Sequence, residues 1–124
     1  MKTFFAEEQK RHDPSFFLSS GAPRPNPEQP ERVERLLAGA RAAGTVIVRP
    51  GDHGLAPVSA VHTPEYIDFL NRIYERWQHI EGASAEVIPN IHPIARTGSY
   101  PASAVGQAGY HMADTSCPIS EHTF

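Results

Sequence analysis

Pro30 to Gly51 reads PERVERLLAGARAAGTVIVRPG, in which a helical pattern passes directly into a strand pattern. Apolar side chains first recur with the spacing of one helix face, at Val33, Leu36, Leu37 and Ala40. Pro30 suits the first helical turn, and Gly44 suits the left-handed residue that ends a helix. The β-branched run Val46 to Val48, closed by Pro50 and Gly51, predicts a strand.

A second apolar run opens the chain, where Thr3 to Ala6 holds two aromatic residues before a charged turn. This run predicts a buried strand. A strand, a helix and a strand in this order form a crossover unit, which makes the two strands parallel and indicates an α/β fold. Parallel sheets are covered on both faces and usually have at least about four strands, so this inventory predicts part of a larger domain.

The sharpest helix start lies at Thr63. Thr63 is a fitting N-cap, Pro64 takes the first helical position, and Glu65 places negative charge at the positive end of the helix dipole. The apolar face of this helix comprises Tyr66, Phe69, Leu70, Ile73 and Trp77. The preceding segment, Asp52 to His62, is interpreted as a short apolar run leaving a strand.

Two segments hold many prolines and glycines and are predicted to be long loops without regular structure, namely residues 11–29 and 82–101. Long loops inside a compact domain usually carry function. A third helix is predicted over Gly106 to Ala113, whose small residues would let it approach a neighbouring backbone closely.

Composition excludes several classes of function. The net charge of −3 gives no general attraction to nucleic acid or to an anionic membrane. No apolar run reaches the roughly 20 residues needed to span a bilayer, and no export signal is recognised. One cysteine, Cys117, cannot form an internal disulfide, so a cytoplasmic location is expected, with Cys117 as a buried and unreactive thiol.

Seven histidines invite a search for a metal site, but none stands with other ligands in a recognised spacing. We therefore predict no metal ligand and no catalytic residue, and interpret the histidines as scattered surface residues. His62 is interpreted as a structural histidine whose ring bonds to backbone near the start of the helix.

Taken in order, several segments resemble acetylpolyamine amidohydrolases and their class II relatives in the histone deacetylase superfamily. The matching pieces are Met1 to Phe5, Glu28-x-Pro30-x-Arg32, Leu36-Leu37, Ala42-Ala43-Gly44, His53-Gly54-Leu55, Val61-His62, Tyr66, Phe69-Leu70, Trp77, Gly106-Gln107-x-Gly109-Tyr110 and Pro118-Ile119-Ser120. The resemblance implies that residues 1–124 form the N-terminal part of an arginase-like or deacetylase-like three-layer α/β domain with a parallel sheet.

In that superfamily, zinc and a set of histidine, aspartate and tyrosine residues hydrolyse N-acetyl amides. None of these groups can be placed in residues 1–124, so the resemblance implies zinc in the full-length family and none bound by this chain alone. The implied substrate is an acetylated amine of the acetylpolyamine or acetyl-lysine type. This chain is expected to be inactive by itself.

The resemblance also implies two peripheral sites. Residues 11–29 correspond to a rim loop of the substrate tunnel, which makes Ser19, Ser20 and Gly21 candidate residues of the tunnel mouth. Residues 82–105 correspond to a dimerisation-type loop, in which the candidate contacts are His92, Pro93 and Arg96, with Thr97 beside them. Val105 and Ser116 stand where acidic residues would attract a polyamine, while Asp114 offers a substitute or a solvated carboxylate.

Two other functions stay open at the level of sequence. The chain could be a non-catalytic dimerisation or interaction module that forms a homodimer or pairs with a full-length deacetylase. It could also be an unrelated small α/β binding domain, which a cooperative thermal transition of a compact monomer would favour.

Overall fold

The computed structural model describes residues 1–96 and 98–124. Its elements are β1 (Lys2–Phe4), a 3-10 helix (Glu7–Arg11), β2 (Phe16–Ser19), β3 (Ala22–Pro25), α1 (Pro30–Ala42), β4 (Val46–Val48), α2 (Ala56–Ser59), α3 (Pro64–Gln78) and α4 (Ala104–His111). Among these residues, no helix combines the length and the apolar character needed to cross a membrane.

The predicted crossover unit is confirmed. β1 pairs in parallel with β4, with Thr3 opposite Ile47, and α1 lies between them in the chain. The end of α1 has the two hydrogen bonds of a Schellman motif, from the Gly44 N–H to the Arg41 carbonyl and from the Thr45 N–H to the Ala40 carbonyl. Gly44 has a φ of 67°, so glycine suits this position.

The prediction that β1 is buried is wrong. The side chains of Phe4 and Val46 are 60% and 61% exposed, and Leu36 on α1 is 66% exposed. The reason is that this parallel sheet has two strands in the described part of the chain, so little structure covers its apolar side chains. The main core lies elsewhere, between α3 and α4.

That core contains Phe69, Ile73, Trp77, Val87, Ala104, Ala108, Met112 and Ile119. The predicted start of α3 is confirmed, because the Thr63 Oγ1 atom accepts a hydrogen bond of 3.3 Å from the Tyr66 N–H. The predicted apolar face is also confirmed, with Phe69, Ile73 and Trp77 all buried. Periodicity and capping were therefore sufficient to locate α3.

The prediction that residues 11–29 have no regular structure is wrong, because they contain the antiparallel pair β2 and β3. The Asn26 N–H donates to the Ser15 carbonyl at 3.2 Å, which makes Ser15 and Asn26 a hydrogen-bonded pair of the ladder. Bonded pairs alternate with non-bonded pairs, so Pro23 and Pro25 fall at positions where no N–H is required. Their spacing of two residues is compatible with an edge strand.

The segment before α3 also differs from the sequence interpretation. In the described structure, residues 52–62 contain the single-turn helix α2 and no strand. Val58 is 38% exposed and Val61 is 80% exposed, so these apolar residues do not belong to the core.

Candidate functional site

The rim residues predicted from the sequence lie at the tip of the hairpin formed by residues 15–26, which we call the rim hairpin. Ser20 and Gly21 occupy the two central turn positions with φ values of 52° and 77°. Two positive φ values define a type I′ turn, the turn that matches the twist of paired strands. Ser19, Ser20 and Gly21 are all exposed, so they are accessible to a ligand or to another segment of protein.

The rim hairpin is attached to the rest of the molecule at two points. At its base, the Ser15 N–H and hydroxyl both donate to Glu86 Oε1, at 2.8 and 2.9 Å. Along β2, the Leu18 N–H donates to the Thr115 carbonyl at 3.1 Å. The loop assigned to the rim therefore contacts both residues 82–105 and the segment that follows α4.

A cleft of about 430 Å³ lies between the segment before α1, helix α3 and the residues that follow α4. It is lined by His12, Glu28, Tyr66, Leu70, His111, Met112, Ala113, Asp114, Cys117, Pro118, Ile119 and Thr123. Glu28 contributes charge at one side, where its carboxylate lies 3.4 Å from His12 Nε2 and 2.9 Å from Arg32 Nη1. The cleft thus combines an apolar wall with two carboxylates, Glu28 and Asp114.

Asp114 has a local structural role at the edge of this cleft. Its Oδ1 accepts a hydrogen bond of 2.7 Å from the Ser116 N–H, and this bond to the backbone lowers the pKa of the carboxyl group. Asp114 is exposed, which agrees with the solvated carboxylate considered from the sequence.

The prediction that Cys117 is buried is wrong, because the residue is exposed. Its Sγ lies 3.8 Å from Asp114 Oδ2. Partial burial of the sulfur, followed by the negative charge of Asp114, raises the pKa of the thiol. A raised pKa reduces the thiolate fraction near neutral pH, so exposure does not make this thiol strongly nucleophilic.

His111 was interpreted as a surface residue, and this interpretation is wrong. It is half-buried among aromatic rings, with its ring centroid 4.5 Å from that of Phe69 and 5.3 Å from that of Tyr66. Its Nε2 lies 2.9 Å from the Tyr100 hydroxyl. Burial lowers the pKa of His111 and raises that of Tyr100, so both groups favour their neutral forms. No spacing rule in the sequence could have found this pair.

The predicted dimer-loop residues lie apart from the rim hairpin contacts. His92 Nδ1 is 3.4 Å from the Gly109 carbonyl, and the Arg96 guanidinium is 5.7 Å from the centre of the Tyr110 ring. Pro93 is exposed, while Thr97 lies outside the described residues. His92 and Arg96 therefore contact α4, whereas Ser19, Ser20 and Gly21 lie at the hairpin tip.

His53 and His62, at the two ends of the Asp52 to His62 segment, are both exposed. The His62 ring contacts the ring of Tyr66, with centroids 5.2 Å apart. This contact differs from the backbone hydrogen bond expected from the sequence.

In residues 1–96 and 98–124, no three His, Cys, Asp or Glu side chains come together in a way that could hold a metal ion. The cleft residues His12, Glu28, His111, Asp114 and Cys117 line one space without forming such a group. The described residues therefore do not fit a zinc site.

Comparison with curated proteins identifies relatives along the whole chain. No protein-family profile matches the chain. The whole chain is 38% identical over 125 residues to an acetylpolyamine amidohydrolase of Burkholderia pseudomallei and 33% identical over 126 residues to one of Mycoplana ramosa. Acetylpolyamine amidohydrolase 1 of Pseudomonas aeruginosa is 28% identical over 128 residues.

Comparison with solved structures identifies a protein of the same kind. A crystal structure of acetylpolyamine aminohydrolase from Burkholderia pseudomallei superposes on 99% of this chain with a TM-score of 0.87 and 37% sequence identity. The match covers 36% of that crystallised chain, and the chain spans 36 to 37% of the length of the curated relatives. The α/β crossover unit, the agreement in fold and the identity along the whole chain lead to one conclusion: the chain is similar throughout its length to acetylpolyamine amidohydrolases and corresponds to about a third of their length.

Proposed function

We propose that this chain is the N-terminal part of a zinc-dependent deacetylase that hydrolyses N-acetyl amides, in which it builds the wall of the substrate entrance. The observation that carries the proposal is the superposition of 99% of the chain, at a TM-score of 0.87, on a protein named for acetylpolyamine hydrolysis. The rim hairpin, with Ser19, Ser20 and Gly21 exposed at its tip, is the part of the chain suited to line an entrance.

The proposal assigns no zinc ligand and no catalytic group to this chain. Its described residues contain no donor group that fits a metal, so zinc would be held by the polypeptide that corresponds to the remaining length of the relatives. The chain alone is then inactive. Its contribution is to shape the entrance and to support the first parallel strands of the domain.

The substrate in this proposal is an acetylated amine. The printed names of the relatives support an acetylpolyamine. Ser116, where an acidic residue would attract a polyamine, is exposed and uncharged, and its N–H is occupied by Asp114. Acetyl-lysine therefore remains a second candidate substrate class, and its hydrolysis is to be compared directly with that of an acetylpolyamine. A cytoplasmic location fits a chain with one cysteine.

One observation favours a second role, in dimerisation. The outer part of residues 82–105 exposes Ile91, Pro93 and Ile94, and the Ile94 side chain is fully exposed. Exposed apolar side chains close together are typical of an interaction surface. The partner in this proposal is a second copy of the chain or a full-length deacetylase of the family.

The test of the hydrolase proposal is a chimera. Residues 1–124 replace the matched 125-residue segment of the Burkholderia pseudomallei relative, and acetate release is measured with an N-acetylated diamine and with an acetyl-lysine peptide. A graft of the matched segment from the Mycoplana ramosa relative, 33% identical to this chain, serves as the control for grafting itself.

We expect the chimera to release acetate and a metal chelator to abolish the reaction, while residues 1–124 alone release none. A folded chimera that is inactive on both substrates, beside an active control graft, would contradict the proposal. Turnover by residues 1–124 alone would contradict the assignment of all catalytic groups to the remaining polypeptide.

A further inference from the structure

Glu86 is a buried carboxylate that joins the two loops assigned to the rim and to dimerisation. The residue is 5% exposed and belongs to residues 82–105, while both of its donors belong to Ser15 in residues 11–29. The Ser15 N–H and hydroxyl converge on Oε1, at 2.8 and 2.9 Å. A buried carboxylate is costly unless it is hydrogen-bonded, and hydrogen bonds to a charged acceptor are stronger than those between neutral groups.

The backbone around Glu86 is fixed to the core from several directions. The Trp77 indole N–H donates to the Ser84 carbonyl at 3.0 Å, and the Gln78 side-chain amide donates to the Ala85 carbonyl at 3.1 Å. On the other side of Glu86, Val87 exchanges two backbone hydrogen bonds with Ile119, at 2.9 and 3.3 Å. The carboxylate is therefore presented from a rigid support.

Ser15 lies at the base of the rim hairpin, so its position controls both strands. Its carbonyl accepts the Asn26 N–H at 3.2 Å, and residue 16 begins β2. The second attachment is the bond from the Leu18 N–H to the Thr115 carbonyl. A two-stranded hairpin has little stability of its own, so these attachments decide where its tip lies.

We propose that Glu86 is the positioning residue of the rim hairpin, coupling its location to residues 82–105 and thereby setting the affinity of the entrance for substrate. This inference rests on the proposed function for its catalytic consequence. Glu86 itself touches no substrate in this role and acts through Ser15.

The structure offers a conservative variant. Among residues 1–96 and 98–124, no donor reaches Glu86 Oε2, which is buried. In Glu86→Gln, the amide nitrogen can take the Oε2 position while the carbonyl oxygen keeps both Ser15 bonds. Glu86→Ala removes both bonds. Glu81→Ala, at an exposed glutamate five positions earlier, is the matched control.

Amide hydrogen exchange on residues 1–124 tests the anchoring directly. We expect Glu86→Ala to speed exchange at the Leu18 and Asn26 amides by about tenfold or more, as follows from losing hydrogen bonds to a charged acceptor. The Val87 amide, bonded to Ile119 in the core, should change little. Glu86→Gln should restore slow exchange, and Glu81→Ala should leave it unchanged. Equal acceleration at Leu18, Asn26 and Val87 would overturn the proposal, because it would indicate general destabilisation.

Kinetics of the chimera test the consequence for substrate. Glu86→Ala should raise KM by about tenfold with kcat nearly unchanged, since a misplaced rim weakens binding without altering the reacting groups. A fall in kcat as large as the rise in KM would overturn the role in affinity. An unchanged KM would overturn it as well. A folded chimera without activity, beside an active control graft, would refute the proposed function, and the exchange experiment would still decide whether Glu86 holds the hairpin.

Discussion

Gly109 lies against the backbone of Ile91 so closely that a Cβ atom at residue 109 would be 1.9 Å from the Ile91 carbonyl oxygen. This contact joins α4 to residues 82–105 and confirms the expectation that small residues let this helix approach a neighbouring backbone. It also makes residue 109 a position where size alone decides stability.

Gly109→Ala should therefore destabilise the chain by about 1–3 kcal/mol, because the added methyl group forces α4 away from Ile91. Gly39→Ala is the control, since a Cβ at that position in α1 meets no atom within 4 Å. It should stabilise the chain by roughly 0.5–1 kcal/mol through helix propensity. Urea unfolding gives the free energy of unfolding of both variants. The same change in stability for Gly109→Ala as for Gly39→Ala would contradict the close packing at residue 109.

Thr63→Ala should cost about 1 kcal/mol, because it removes the oxygen that accepts the Tyr66 N–H at the start of α3. Thr63→Ser retains a hydroxyl in the same position and should recover most of the loss. The free energy of unfolding compares the two. A loss in Thr63→Ser as large as that in Thr63→Ala would show that the hydroxyl is not the stabilising group.

Stability should fall in mild acid because of His111. Burial lowers the pKa of His111 in the folded state, so near this pKa the unfolded chain binds more protons than the folded chain. The contribution is present above the ordinary histidine pKa of about 6.5 and is lost as pH falls below it toward the folded-state pKa. Unfolding curves at several pH values should show this loss.

His111→Gln should reduce the dependence of stability on pH below about 6.5, since the titrating group is removed. His122→Gln, at an exposed residue, is the control and should retain it. Identical pH profiles for the native chain and His111→Gln would assign the effect to another group.

Cys117 should react slowly with iodoacetamide near neutral pH despite its exposure, because partial burial and Asp114 raise the pKa of its thiol. Asp114→Asn should speed the reaction by removing the neighbouring negative charge. Asp52→Asn is a matched control, since Asp52 also accepts a hydrogen bond from the backbone N–H two residues later. Mass spectrometry follows the rate, and equal rates in the two variants would contradict the charge effect.

Self-association should depend on Ile94 if residues 82–105 form a dimer surface. Ile94→Asp should lower the sedimentation coefficient at high protein concentration, because a charge at a desolvated apolar contact is unfavourable. Val61→Asp changes an apolar residue that is 80% exposed outside this loop and should have no such effect. A native chain that stays monomeric at every concentration would remove self-association from the proposal.

Several features of the site could not be predicted from the sequence. The number of prolines between Arg11 and Gln29 concealed the rim hairpin, although Pro23 and Pro25 share a spacing that an edge strand tolerates. The Ser20-Gly21 turn was the local signal that could have revealed it. The contact between Ser15 and Glu86 joins residues 71 positions apart, and nothing local to either residue indicates it.

Residue order alone determined the crossover unit, the start of α3 and its buried face, because caps and apolar periodicity act within one or two turns of chain. It also sufficed to recognise the family. Tertiary structure decided which apolar residues are buried, where the rim hairpin is anchored, why residue 109 must be small and why the pKa of His111 is lowered. These properties depend on burial and hydrogen bonds between segments distant in the chain, and such contacts exist only once the chain has folded.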